Sequence, residues 1–473
     1  MRVTAVRWHL DRWAIPSHGA ANGRTERAAV LVEVITATGA HGWGEAAPLD
    51  GVSSDSLGDA EAAIRTFAER APFDIEPAFA AIANAAARPC ASSAARFAIE
   101  TALLNAATAS SDGSIAALLA QAPLTELPCA VVVDDQDAAR AAVVAGARCL
   151  KIKVGAGGDL ERVVAIARAA HGVELRIDAN RSWPVERVRE RLRALADLPI
   201  QFVEEPCRDA HVLLDGPLSC PIALDESLIE IADEQLAVAL TSRDLGALVL
   251  KPTLLGGFAR CLALAAQARE RGVAVVITHA LEGPIGTAAC TELALAIGPA
   301  IAAGLAPHPG LWRGPQASAP HEQTSWLPSH MVTASTAREL ANRGAAAASK
   351  SKSESKSKSK SKSDSDSDSD SDSGSESGSE SESDLRVRVR PPSPTSESES
   401  ESASESESAS ESESASESES ASESESESES ESESRFRIPV PNPESRFRNP
   451  IPHPESRNPL SDPAPRSRSR SRS

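Results

Sequence analysis

Residues 149–180, CLKIKVGAGGDLERVVAIARAAHGVELRIDAN, decide the fold. CLKIKV and ELRID alternate in the period of a strand, and DLERVVAIARAAHG between them repeats apolar residues at helical spacing. Strand, helix and strand joined by short turns make a parallel crossover unit. The texture continues outward in both directions. LPCAVVVD (127–134) precedes it, and QFVEEP (201–206), IALDES (222–227), ALVLKPT (247–253) and VAVVITHA (273–280) follow, with helical stretches such as GGFARCLALAAQARERG between them. Such alternation predicts a parallel sheet, and seven or eight units predict its closure into a barrel. An eighth strand is faint, at IAAGLAP (301–307). VGAGGD after Lys153 lacks GxGxxG and reads as a loop between strand and helix.

The first part of the chain has a different rhythm. MRVTAVRWHL reads as one strand, and AAVLVEVITATG followed by HGWGEAAPL as a hairpin turning at Gly39. LGDAEAAIRTFAERA and SSAARFAIETALLNAATA are alanine-rich helices. The expected division is an α+β domain over 1–122, a barrel over 123–307 and a segment over 308–345 that folds back on the first domain. From 346 to 473 the chain becomes Ser-Lys, Ser-Asp, Ser-Glu and Ser-Arg repeats with few apolar residues, expected to be disordered.

The net charge of −19 misstates the folded part: from Ser349 onward there are 18 basic and 28 acidic residues, so about −10 belongs to the tail. A folded region near −9 does not suit nucleic acid. The seven cysteines are scattered without a CxxC pair, as in a protein with reduced, buried thiols. MRVTAVRWHLDRW has no continuous apolar stretch and no run reaches the length of a membrane span, so a soluble cytoplasmic protein without secretory signal or membrane partner is expected. Oligomeric state is not legible.

Five charges close five successive strand-like runs: Lys153, Asp178, Glu204, Asp225 and Lys251, at intervals of 25, 26, 21 and 26 residues. In a barrel the carboxyl ends of the strands converge on one mouth. Singly, a strand-terminal acid reads as the cap of the next helix. Three together repel one another unless a cation compensates, and all-oxygen ligation suits Mg²⁺, with Mn²⁺ as substitute. Lys151 and Lys153 share one face of their strand, and two neighbouring ammoniums lower each other's pKa, which makes a usable base. Asn180 and Glu205 stand beside the carboxylates and are expected to support them or to contact the substrate. Metal plus opposed lysines suits proton removal next to a carboxylate, an arrangement known from enolase-type sites.

KIKVG, RIDANRSW, FVEEPCRD, LDESL and LVLKPTLLGG, in this order, resemble the enolase superfamily in its muconate-lactonizing subgroup, and look most like its o-succinylbenzoate synthases. The resemblance covers about residues 1–330. It implies a (β/α)₇β TIM-like barrel, α/β in class, with an N-terminal α+β capping domain whose loop around Ser17–Arg24 closes over substrate. It implies Mg²⁺ on Asp178, Glu204 and Asp225, Lys153 as base, Lys251 over the ring of a small carboxylate substrate, and Lys151 tuning Lys153. Arg176 would support the site. Thr278, His279 and Ala280 would line the pocket, their backbone N–H groups holding a succinyl carboxylate, with His279 alternatively a second acid or base. The implied activity is syn dehydration in menaquinone biosynthesis. N-acylamino-acid racemases and dipeptide epimerases share the same lysines and ligands, so that alternative stays open. A non-catalytic interaction protein acting through the tail is the reading from another class.

Overall fold

The computed structural model describes residues 1–15, 26–88, 90–109, 113–155, 157, 159–311 and 330–365, with side chains through 350. The capping loop expected around Ser17–Arg24 and the tail from 366 onward lie outside the described residues.

Three antiparallel strands open the chain: β1 (Arg2–Ala14), β2 (Glu26–Thr36) and β3 (His41–Ala46), with the short β4 (Phe73–Asp74) on the other side of β1. Helices α1 (Leu57–Ala68) and α3 (Ser93–Thr108) cover this sheet, and α2 (Phe79–Ala87) and α4 (Ile115–Leu119) pack against α3. Helix α1 starts at a capping box in which Ser56 and Asp59 exchange hydrogen bonds. The closest approach in the domain is made by the glycines of HGWGEA. A Cβ on Gly42 would lie 2.0 Å from the Ala102 carbonyl oxygen, and one on Gly44 1.9 Å from that of Ala98. Only glycine lets β3 lie directly on α3.

The barrel follows: β5 (Glu126–Pro128), β6 (Val131–Val132), α5 (Gln136–Val144), β7 (Cys149–Lys153), α6 (Leu160–Ala169), β8 (Glu174–Asp178), α7 (Val185–Leu195), β9 (Ile200–Glu204), β10 (Ile222–Leu224), α8 (Ser227–Glu230), α9 (Asp233–Ala239), β11 (Leu245–Leu250), α10 (Pro252–Leu255), α11 (Phe258–Arg271), β12 (Ala274–Ile277) and α12 (Pro284–Ile297). Strands β6 to β12 form one parallel sheet in sequence order. A 3₁₀ turn over Ala210–Asp215 stands between β9 and β10. The faint IAAGLAP run closes the ring: Ala303 bridges in parallel to Cys129 and Gly304 to Thr278, at the two edges of the sheet.

Along each strand the alternation works as read. In β7, Leu150 and Ile152 are buried in the main core that the outer helices share, while Lys151 and Lys153 take the opposite face. Leu175 and Ile177 of β8 do the same, leaving Arg176 and Asp178 inward. All seven cysteines are free and buried.

After the barrel, β13 (Met331–Thr333) pairs antiparallel with β5, and α13 (Ala334–Ser365) follows. Ala348 of α13 packs with Trp13, Leu31 and Trp43 of the first sheet and with Ile285 of α12, so this segment touches cap and barrel alike. The helix carries on to Ser365, past the point where Ser-Lys repeats were expected to end regular structure. Alanines 345–348 continue the helical run directly into the repeats, and lysine itself is a good helix former. Among the described residues no helix is long and apolar enough to cross a membrane.

Candidate active site

The five strand-end charges meet at the mouth of the barrel. Lys151 Nζ lies 2.8 Å from Asp178 Oδ2 and 2.8 Å from Glu204 Oε1. Lys251, one residue past β11, places Nζ 2.5 Å from Asp225 Oδ2 and 2.9 Å from Glu226 Oε1. Glu226 was not singled out from sequence; its signal is the acidic pair in LDES, directly after a strand. Lys153 differs from the other two lysines: it is exposed and makes no ion pair among the described residues.

The electrostatics follow from these contacts. Burial pulls the Lys151 ammonium down, but the Asp178 and Glu204 carboxylates outweigh it and its pKa ends above the usual lysine range. As the side chains stand, the Lys151 charge is answered by two carboxylates. Lys251 is likewise raised by Asp225 and Glu226 against burial. Burial pushes Asp225 well up, and Glu226 adds to it, as does a hydrogen bond with Glu204. Asp178 goes down despite burial, because Lys151, Lys153 and Lys251 all act on it.

Asp225 and Glu204 are thus buried carboxyl groups within hydrogen-bond reach of each other, with the Lys151 and Lys251 ammoniums beside them. With Asp178 they form an all-oxygen donor set, which fits a hard divalent ion. As the side chains stand, however, no three His, Cys, Asp or Glu residues among those described are grouped as for a metal ion. The lysine ammoniums occupy the carboxylate oxygens instead.

A second layer fixes this arrangement. The Glu205 carboxylate is fully buried and accepts from the Asp225 and Ser227 N–H groups at 2.7 and 2.8 Å, from the Ser227 hydroxyl at 2.9 Å and from Arg181 Nε at 3.1 Å. It ties the ends of three strands together. Asn180, Arg181 and Glu205 all have positive φ (44°, 59° and 41°), a cluster of non-glycine residues in a conformation that persists only where surroundings impose it. Asn180 is exposed, and its N–H donates to Asp178 Oδ1 at 3.1 Å. Arg176 lies behind the carboxylates, below the mouth. It is 2% exposed, donates from Nε to Gln201 at 2.7 Å and lies 4.9 Å from the Phe202 ring centroid. Two residues before Asp178 on the strand means about 7 Å deeper into the barrel.

The wall after β12 is also placed differently from its sequence reading. Thr278 N–H donates to the Leu250 carbonyl at 3.0 Å and Ala280 N–H to Glu282 Oε2 at 2.7 Å, so neither is free for a substrate carboxylate. The Thr278 hydroxyl is used as well, on the Gly304 carbonyl at 2.7 Å. The reason is the closing of the ring: residues 278–282 must bond to β11, to the eighth strand position and to their own turn. His279 keeps a partly exposed ring, stacked on His308 with centroids 3.6 Å apart. His308 was missed, since a lone histidine before proline and glycine carries no pattern of its own.

Residues 2–120 match the mandelate racemase / muconate lactonizing enzyme N-terminal domain family, and residues 134–321 match the enolase C-terminal domain-like family. The o-succinylbenzoate synthase of Enterobacter sp. is 32% identical over 274 residues, 56% of this chain and 78% of that protein. That of Desulfotalea psychrophila is 32% identical over 182 residues, 36% of this chain and 49% of the relative, so there the chain spans about half of its length. Among solved structures, the dipeptide epimerase of Methylococcus capsulatus, complexed with Mg and the dipeptide L-Arg-D-Lys, aligns with a TM-score of 0.53 at 25% identity, over 63% of this chain and 88% of that one. The chain belongs to the enolase superfamily, in the group of mandelate racemase and muconate lactonizing enzyme.

Proposed function

We propose that this member of the enolase superfamily is a cytoplasmic, Mg²⁺-dependent o-succinylbenzoate synthase of menaquinone biosynthesis. Its substrate would be 2-succinyl-6-hydroxy-2,4-cyclohexadiene-1-carboxylate, and its reaction a hydro-lyase dehydration. The observation that carries the reading is the contrast between lysines. Among the described residues Lys153 has no carboxylate partner, while Lys151 and Lys251 are held in place by Asp178, Glu204, Asp225 and Glu226.

Mg²⁺ on Asp178, Glu204 and Asp225 would supply the positive charge that lets the carbon next to a carboxylate lose its proton, and Mn²⁺ would substitute. Lys153, as the neutral amine, takes the proton from C1. The C–H electrons form the C1–C6 double bond as the C6–O bond breaks, and the proton on Lys153 passes to the departing hydroxide. Water and an aromatic ring result, and Lys153 returns to its neutral form. One base serving both transfers requires syn geometry. Lys251, further round the ring of strands, places an ammonium where negative charge develops. Glu205 acts on position alone, by fixing the strand ends that carry Asp178 and Asp225.

The likeness to a dipeptide epimerase favours one second reading, in which Lys153 and Lys251 exchange the α-proton of an N-acylamino acid or dipeptide from opposite faces. Dehydration followed by absorbance with Mg²⁺ present separates the two. The synthase reading expects turnover by the wild type and a loss of at least about 10³-fold for Lys153→Ala. No dehydration, with deuterium entering N-acylamino acids or dipeptides, moves the assignment to the second reading. Identical behaviour of wild type and Lys153→Ala on all these substrates returns the chain to a non-enzymatic role.

A further inference from the structure

The proposed base sits on a strand end that the sheet itself does not finish. β6 stops at Val132, opposite Lys151, and Val133 N–H donates to the Lys151 carbonyl at 3.0 Å. By the two-residue period of a parallel ladder, the next rung would join Asp135 to the Lys153 carbonyl. Asp135 has left the sheet by then. Its carboxylate accepts from the Asp137 and Ala138 N–H groups at 2.9 and 2.8 Å, as the cap of α5. On the other side the ladder continues: Lys153 pairs with Asp178, and Val154 N–H donates to the Asp178 carbonyl at 2.8 Å.

Arg162, in the first turn of α6, stands where that rung is missing. Nη2 donates to the Lys153 carbonyl at 2.5 Å and Nη1 to the Asp134 carbonyl at 3.1 Å, so one guanidinium joins the ends of both strands. Nη2 also meets Asp159 Oδ2 at 3.0 Å, and the same oxygen accepts from Gly155 N–H at 3.1 Å. The Gly155 N–H and then Arg162 hold the Asp159 carboxyl below its usual range, so it is ionised at neutral pH. Asp159 itself stands at φ 45°, a left-handed conformation that these contacts impose. The contacts close a ring from the strand end to the helix behind it.

The ring matters because of which lysine it carries. Lys151 and Lys251 are each aimed by two carboxylates. Lys153 is exposed and has no ion pair among the described residues, so its direction comes from its backbone. A base must stay within hydrogen-bond reach of the proton it takes, and a misplacement of about 1 Å can cost about 10²-fold in rate. We propose that Arg162 is a positioning residue for Lys153, fixing the strand end from which the amine reaches the substrate. This rests on the role of Lys153 in the proposed function.

Steady-state kinetics of the full chain with Mg²⁺ test it. Arg162→Ala should lower kcat about 10- to 100-fold at nearly constant KM, because Arg162 acts on the base and not on substrate binding. The isotope effect on substrate deuterated at C1 should rise, as proton transfer becomes the slow step. Millimolar guanidinium chloride, far below denaturing concentrations, should restore kcat in Arg162→Ala and leave the wild type unchanged. Asp159→Ala frees both Gly155 N–H and Arg162 Nη2, so it should lower kcat too, and the double variant should add little to Arg162→Ala. An unchanged kcat, a loss carried by KM, or a lowered thermal midpoint without guanidinium rescue would overturn the role of Arg162. If Arg162→Ala does not fold, Arg162→Lys carries the test, since it keeps the charge but not the fork that spans both carbonyls. Its kcat should fall at constant KM, and a wild-type kcat would overturn the proposal. A wild type that does not dehydrate defeats the synthase reading instead. The same variants are then followed by deuterium exchange into N-acylamino acids, and equal exchange in wild type and Arg162→Ala overturns the role of Arg162 there.

Discussion

Lys151 and Lys153 stand two residues apart on one strand and end in different electrostatic states. Their shared face was readable from alternation alone, and so was the convergence of Asp178, Glu204 and Asp225. The partners were not, because which ammonium meets which carboxylate depends on neighbouring strands 25 or more residues away. Lys151 answers two carboxylates that have little solvent. Lys151→Met should therefore cost about 3–5 kcal/mol when EDTA removes divalent ions, as when one partner of a buried pair is lost. Saturating Mg²⁺ should recover most of that, because a cation then takes the place of the ammonium. Urea unfolding in the two conditions measures it. The same loss with and without Mg²⁺ would mean that Asp178 and Glu204 do not hold the ion.

At the scale of elements, the barrel helices near the mouth begin against carboxylates from the cap. The buried Glu100 of α3 accepts from Phe258 N–H at 2.6 Å, at the first residue of α11. Burial drives its carboxyl up to about 8, against the pull of the Phe258 and Ala259 N–H groups and Arg96. An acid raised on folding holds its proton more tightly in the folded state. That stabilisation is complete below about pH 4.5 and is lost as pH rises through about 8. Glu100→Gln stays neutral throughout and keeps an acceptor oxygen. Relative to it, the wild type should lose about 4 kcal/mol between pH 5 and 8. Denaturant titrations at several pH values check this; a constant difference would place the carboxyl pKa near its ordinary value. The helices themselves were legible from their alanines, but not this contact. Likewise HGWGEA read as a strand, while the need for both glycines comes from α3. Gly44→Ala, driving a Cβ into the Ala98 carbonyl, should cost at least about 3 kcal/mol, read as a lowered thermal midpoint.

Over the whole molecule, cap and barrel share the wall that carries His279. Arg27 of β2 donates to the Leu281 and Ala280 carbonyls at 3.0 and 3.2 Å, and to Pro48 and Ala47 at 2.8 and 2.7 Å. Glu45 of β3 accepts from Gly283 and Gly286 at the start of α12, at 2.5 and 2.9 Å. The contacts to Ala280, Leu281, Gly283 and Gly286 join residues more than 230 positions apart, so no local pattern announces them, whereas the barrel itself was legible because its unit repeats. The barrel strand thus delivers the 278–282 turn to the mouth, and the cap holds it there. Arg27 is 4% exposed, and its removal leaves three buried carbonyl oxygens and the half-buried one of Leu281 without this donor. Arg27→Met should cost about 3–5 kcal/mol in stability. Under the proposed function the turn lines the substrate pocket and carries no base, so the surviving folded enzyme should show a raised KM with kcat nearly intact. Steady-state kinetics below the variant's unfolding temperature would check this. A fall in kcat at constant KM would mean that the cap acts on the lysines and carboxylates rather than on the wall.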